Sequence, residues 1–273
     1  MPAPLKPLAL RVEQLGFAYN GSPALVDINL AIRPGEFVAI VGQNGSGKTT
    51  LVKHFNGLLK PTAGRVWVGE RDTAQVTVAE LARDVGYVFQ NPDHQINQPT
   101  VRAEVEFGLR CFGFAEVEIK PRVDETLAAF GLAAYAGRPP AVLGFGLRRK
   151  IALASVCVMR PPVLILDEPT GGLEARAADE IMELAVALHA AGHTILLVSH
   201  DMRRVAACAE RCLVLHRGRL LCDAVTREVF ADLALLAQAC LTPPPVTQLG
   251  QALQLGVPLT VAEFYDRYAS TAA

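Results

Sequence analysis

No run of apolar residues in the 273-residue chain approaches the ~18 needed for a membrane-spanning helix. The longest, such as Val163–Leu166 and Thr194–Val198, have the length of buried strands. The chain is therefore expected not to cross a bilayer, although its mean hydropathy of +0.27 is high. An excess of one charge is also missing: 26 Lys and Arg stand against 27 Asp and Glu, a net charge of −1, which removes any bulk attraction to nucleic acid. The opening residues, Met1 to Lys6, lack a charged segment followed by an apolar one, so no secretory leader is expected. The cysteines at 111, 157, 208, 212, 222 and 240 contain no Cys-x-x-Cys pair. They read as thiols in a reducing compartment rather than as a metal site. Internal repeats and low-complexity tracts are missing too. What is present, 51% hydrophobic and 19% charged residues, is enough to build a sizeable core in one large domain with at most a small appendage.

The hydrophobic pattern alternates strands and helices, which implies a mostly parallel sheet. Residues 8–35 alternate apolar and polar in places and read as antiparallel strands with one wet face. Phe37–Val41 is apolar throughout, as expected of a strand buried on both faces. A helix is expected from Lys48 to the stop at Lys60-Pro61, with Leu51, Val52, Phe55, Leu58 and Leu59 on one face. Short strands follow at Gly64–Gly69 and Asp84–Gln90, then a loop marked by Asn91-Pro92 and Gln98-Pro99. Residues 100–138 turn helical, and a helix from about Arg148 to Met159 ends at Pro161-Pro162. A strand at 163–167, a helix at 176–191, a strand at 194–199 and a closing strand at 212–216 complete the core. Thr242–Val246 breaks the chain before a short helical tail. The runs Arg148–Lys150 and Arg203-Arg204 read as solvated helix faces, and His54, His189, His193 and His216 as scattered surface or core residues.

The strongest motif is Gly42-Gln43-Asn44-Gly45-Ser46-Gly47-Lys48-Thr49-Thr50, set between the buried strand and the amphipathic helix. Glycines let backbone N–H groups converge on phosphate oxygens, and the helix that follows points its positive end at the anion. This is a P-loop, with Lys48 expected to reach the β- and γ-phosphates and the Thr49 hydroxyl to ligate Mg²⁺. A second element, Asp167-Glu168, stands at the carboxyl end of the buried strand 163–167, the ligand edge of an open α/β sheet. Asp167 would hold Mg²⁺ and Glu168 would orient and deprotonate an attacking water.

With these motifs, residues 8–222 resemble an ATP-binding cassette (ABC) ATPase. The resemblance implies an α/β P-loop NTPase with a mostly parallel sheet, an antiparallel β subdomain, a helical subdomain at about 100–160 and a short C-terminal extension. Residues 1–222 would form the ATPase domain, and 223–273 an extension used in pairing two ATPases. It further implies that His200, in Ser199-His200-Asp201, contacts the γ-phosphate, that Gln90 touches metal and water and senses a membrane partner, and that Tyr19 stacks on adenine. Gly171–Glu174 would contact a facing subunit, although the family usually carries Asp where this chain has Glu174. More narrowly, Phe89–Asp93 with Gln95, Pro99–Val101 and Pro244–Leu249 look like the ATPases of energy-coupling-factor (ECF) importers, which take up vitamins or cobalt and nickel ions. Those ATPases sit on the cytoplasmic face of the membrane, paired with a second ATPase subunit, a transmembrane coupling protein and a membrane substrate-binding subunit.

One motif departs from the family. A Leu-Ser-Gly-Gly-Gln signature would open a helix facing the other subunit's nucleotide, but here the segment reads Leu143-Gly144-Phe145-Gly146-Leu147. The serine hydroxyl and the glutamine amide are gone, and Phe145 stands where the backbone should approach phosphate. With its own P-loop motifs complete, the chain is expected in a heterodimer with one impaired composite site. A non-transport ABC ATPase, in DNA repair or translation, is a competing expectation, as is a nucleotide-binding regulatory subunit of low turnover. Repair members usually carry zinc-binding cysteine pairs or long coiled-coil insertions, and translation members two cassettes.

Overall fold

The computed structural model describes residues 9–272; the reading of the first six residues lies outside them. The chain runs β1 (Leu10–Tyr19), β2 (Ser22–Ile32), β3 (Phe37–Val41), α1 (Lys48–Phe55), β4 (Ala63–Val68), β5 (Arg71–Asp72), α2 (Val78–Leu81) and β6 (Val85–Val88). Helices α3 (Val101–Cys111), α4 (Glu116–Ala129) and α5 (Phe145–Cys157) follow. After them come β7 (Val163–Asp167), α6 (Ala175–Ala190), β8 (Thr194–Val198), α7 (Met202–Cys208), β9 (Arg211–His216) and β10 (Arg219–Val225). The chain ends with α8 (Thr226–Ala231), α9 (Leu233–Gln238), α10 (Pro245–Ala252) and α11 (Val261–Ala272).

Two sheets result. An antiparallel sheet has the order β2-β1-β4-β5; a larger one has the order β10-β9-β3-β8-β7-β6, parallel except for β10 at its edge. The fully apolar strands of the larger sheet feed two cores at once, because successive side chains point to opposite faces. Phe37, Ala39 and Val41 of β3, Leu164 and Leu166 of β7, and Ile195 and Leu197 of β8 join helices α3 to α9. Val38, Ile40, Val163, Ile165, Leu196 and Val198 join α1 and the antiparallel sheet. Helix α1 thus lies between the sheets, and its first turn meets the carboxyl ends of β3, β7 and β8.

Several boundaries differ from expectation for local reasons. Helix α1 stops at Phe55 rather than Lys60, because Asn56 caps it and Gly57 turns the chain with φ of 75°; Leu58 is left 44% exposed. The helix expected from Arg148 begins three residues earlier, inside the degenerate signature. The strand at 212–216 does not close the sheet, since β10 pairs along it and runs through the expected domain boundary at residue 222. Beyond it, Val229, Phe230 and Leu236 pack into the same core as β3 and β7.

Candidate functional site

The P-loop conformation follows from its glycines. Gly42 has φ of 150°, and a Cβ there would stand 2.2 Å from the Leu215 carbonyl oxygen. Gly47, at φ of 104°, caps α1 without any side-chain bond, and no acidic residue occupies the first turn. The positive helix end is therefore left for an external anion. Lys48 is buried, with its ammonium donating to the carbonyls of Gly42 at 2.8 Å and Gln43 at 2.9 Å. Burial lowers its pKa, opposed by the nearby Glu168 and Asp167 carboxylates.

Asp167 closes β7 beneath the loop, buried, and accepts from the Thr49 hydroxyl at 3.3 Å and the Tyr87 hydroxyl at 2.6 Å. The paired hydroxyl and carboxylate are hard oxygen donors of the kind Mg²⁺ takes, so this corner fits that ion. Glu168 follows in the left-handed region at φ of 48°, which the turn over β7 imposes; its N–H donates to Val198 O at 2.9 Å. Its carboxylate is buried and lies 2.8 Å from Nδ1 of the exposed His200.

A cleft of about 550 Å³ joins these groups, lined by Tyr19, Asn44, Gly45, Gly47–Thr50, Gln90, Glu168 and His200. Gln90 is exposed in this lining, and Tyr19 contributes beside Ser22–Ala24, its hydroxyl 3.4 Å from that of Thr50. Most of the expected residues thus share one cleft, while Gly42, Gln43, Ser46 and Asp167 do not line it, Asp167 meeting it through its bond to Thr49. Gln43 reaches Lys48 through its backbone carbonyl, and the buried Ser46 hydroxyl faces Gly42 with no hydrogen-bond partner among the described residues.

Four further residues hold the site: Tyr87 and Glu104 are not singled out by the sequence, Gln95 enters there only within the importer-like segment, and Arg149 only within a solvated basic run. Tyr87 anchors Asp167; its polar tip in the otherwise apolar Val85–Val88 was the available signal. Gln95 accepts from Phe89 N at 3.2 Å and donates to Ala152 O at 2.7 Å, pinning the loop after β6 to α5. Glu104 accepts from the N–H groups of Asn97 and Gln98, which orders the far side of that loop. Arg149 corrects the expectation of a solvated face: it is 3% exposed and donates to Phe89 O and Gly171 O, each at 3.1 Å. Its pKa is lowered by burial, against the pull of Glu168 and Asp167. Arg204 is likewise enclosed, paired with Asp201 and Asp179.

The signature segment is ordered. Gly144 caps α5 with no side-chain bond, and a Cβ at Gly144 would meet nothing within 4 Å among the described residues. The Phe145 ring turns back onto its own chain: a Cβ on Gly172 would lie 3.5 Å from it, and the Arg149 guanidinium sits 5.2 Å from its centroid. Beside this helix, Asp93, Ile96–Pro99, Pro139–Ala141 and Arg148 line a groove of about 590 Å³, with Arg148 Nε 3.0 Å from Asp93.

Residues 25–171 match the family profile described as ABC transporter. The chain belongs to that family. It is an ATP-binding, ATP-hydrolysing transport ATPase of ABC type. It is 44% identical over 245 residues to a putative ABC transporter ATP-binding protein of Caldanaerobacter subterraneus, covering 89% of this chain but only 43% of that relative. It is 39% identical over 264 residues to the energy-coupling factor transporter ATP-binding protein EcfA of Methanothermobacter thermautotrophicus, covering 94% of this chain and 85% of the other. Among solved structures, cbiO1 of Clostridium perfringens, part of the ABC transporter complex cbiONQ, superposes with a TM-score of 0.77 at 36% identity, covering 91% of this ABC ATPase and 99% of that chain. Among the described residues no helix is long and apolar enough to cross a membrane.

Proposed function

We propose that this ABC ATPase powers an importer of the energy-coupling-factor type, for vitamins or cobalt and nickel ions. It would work on the cytoplasmic face of the membrane with a coupling protein and a substrate-binding membrane subunit. The observation that carries the ATPase chemistry is the convergence of Lys48, Thr49, Glu168, Gln90 and His200 on one cleft, with Asp167 bonded to Thr49 behind it. The likeness to EcfA over most of the chain supports the importer type.

In this reading the loop Gly42–Thr50 and Lys48 grip the triphosphate of ATP, and Tyr19 carries the adenine. Thr49, Asp167 and Gln90 would hold Mg²⁺, which would neutralise phosphate charge during the transfer. Glu168 takes the proton of the attacking water, while His200, 2.8 Å from it, steadies the carboxylate and meets the γ-phosphate. The groove between Asp93–Pro99 and Pro139–Ala141 receives a cytoplasmic helix of the coupling protein. Arg149 and Gln95 tie that groove's loop to α5, so closure around ATP moves both together. The extension beyond residue 222 contributes to pairing two ATPases.

The partner ATPase would be a different chain with an intact signature. Gly144 supplies no hydroxyl and Leu147 no amide to a nucleotide bound opposite, and hydrogen bonds to charged groups are worth about 1.5–3 kcal/mol each. The N–H groups opening α5 remain, and the Phe145 ring packs against Gly172, so the impairment rests on the two lost side chains more than on a clash. Turnover by the purified chain alone is expected to be low, to rise when an intact-signature partner is added, and to rise also in the Gly144→Ser, Leu147→Gln double variant. Equal turnover alone and with the partner would refute the heterodimer. Unaltered import by a complex carrying Glu168→Ala would refute the transport role.

A further inference from the structure

We infer that His54, fully buried in α1, is a positioning residue for nucleobase recognition. The inference rests on the reading of Tyr19 as the base platform. Three side chains, with the carbonyl and hydroxyl of Thr50, form a closed circuit between β1 and α1. The Tyr19 ring stands edge-on to Phe17, centroids 4.8 Å apart at 85°. Phe17 in turn stands edge-on to His54, at 4.9 Å and 78°. Both separations fall in the range of about 4.5–7 Å where such T-shaped pairs attract. His54 Nδ1 lies 2.8 Å from the Thr50 carbonyl, and the Thr50 hydroxyl lies 3.4 Å from the Tyr19 hydroxyl, which returns the circuit to its start.

A carbonyl only accepts, so Nδ1 carries the ring proton and Nε2 is a bare acceptor. Nε2 is buried and has no hydrogen-bond partner among the described residues. Leaving a polar atom unpaired in a core is costly. A leucine or phenylalanine would fill the same space without that cost, so the fold tolerates the imidazole for what its other nitrogen does. That nitrogen fixes the ring plane against Thr50, and the ring edge then fixes Phe17 and, through it, Tyr19.

The placement gives the circuit a consequence for ligand choice. Thr50 stands in the first turn of α1, directly after Lys48 and Thr49, and Tyr19 lines the same cleft with its hydroxyl beside that of Thr50. The element that grips phosphate is thereby tied to the one that meets the base. His54 sets their separation without touching the ligand, and so acts on the base-dependent part of affinity.

The test compares binding of ATP with binding of inorganic triphosphate by the purified full chain. Tyr19→Ala is expected to lower the ratio of the two affinities by about 5- to 100-fold, the range of one base–aromatic stack. His54→Phe keeps a ring against Phe17 but cannot bond Thr50; it is expected to lower the same ratio by about 2- to 10-fold, the worth of one hydrogen bond, with triphosphate affinity retained. His54→Gln keeps a donor but loses the ring, and should lower the ratio as well; it carries the test if the first variant fails to fold. A drop with Tyr19→Ala but with neither His54 variant overturns the inference and leaves the platform standing. No drop with Tyr19→Ala removes the platform and the inference together. Equal losses for ATP and triphosphate in the His54 variants would assign His54 a general structural role and overturn the inference.

Discussion

Replacing Lys48 by methionine separates what the lysine does for the fold from what it does for the ligand. The ammonium makes two short bonds to the Gly42 and Gln43 carbonyls, each a charged hydrogen bond worth about 1.5–3 kcal/mol. Against this stands the cost of burying the charge, several kcal/mol per ion in folded proteins, which is also what lowers the Lys48 pKa. The two contributions are of similar size and opposite sign. The melting temperature of the nucleotide-free variant should therefore move little. The ligand response has no such cancellation. ATP at about 100 times its Kd stabilises the parent by about 2.7 kcal/mol. For a chain of this size that corresponds to an upward shift of about 5–10 °C. In Lys48→Met the shift should vanish at the same ATP concentration, as followed by calorimetry with and without ATP and Mg²⁺. A variant that keeps the full shift would refute the assignment of this lysine to the triphosphate. A variant that loses most of its ATP-free stability would refute the cancellation.

Glu168→Gln should lower ATP turnover by about 100- to 10,000-fold, the usual worth of a general base, while ATP affinity stays near that of the parent; loss of affinity instead would count against the role as base. Tyr87→Phe takes the 2.6 Å donor away from buried Asp167 and should cost about 1–3 kcal/mol in urea unfolding; a change below about 0.5 kcal/mol would show the bond contributes nothing. His54 has its pKa lowered by burial, so the unfolded chain takes up the proton first as pH falls. Stability linked to His54 is complete above pH 6.5 and declines below it, until the folded pKa is passed. The parent should thus lose stability from pH 6.5 to 5 more steeply than His54→Phe, by parallel denaturant titrations.

The parts of the fold most legible in the sequence were those with strong local patterns. The apolar runs of β3, β7 and β8 could only be strands buried on both faces. Gly42–Thr50 and Asp167-Glu168 carry their chemistry in adjacent residues, so no tertiary knowledge was needed to find them. Boundaries set by one residue were less legible: Asn56 and Gly57 end α1 although the helical spacing of Leu58 and Leu59 continues past them. Edge strand β10 and helices α7, α8 and α9 are short and weakly periodic, and tertiary packing decides them. Least legible were the residues that brace the site. Arg149 belongs to a basic run that reads as surface, and only the approach of Phe89 and Gly171, from distant parts of the chain, turns it inward. His54 reads as one scattered imidazole among several until the fold sets Phe17 against it and Tyr19 against Phe17.

The double grip of Arg149 constrains how this ATPase can be re-engineered. One guanidinium clamps the segment leading to Gln90 and the turn just after Glu168, and it grows from the same helix that begins with the degenerate motif. Grafting a complete motif from a relative leaves the chain's own reaction centre undisturbed only while Arg149 is kept, so the exchanged segment should end before residue 149 rather than after it.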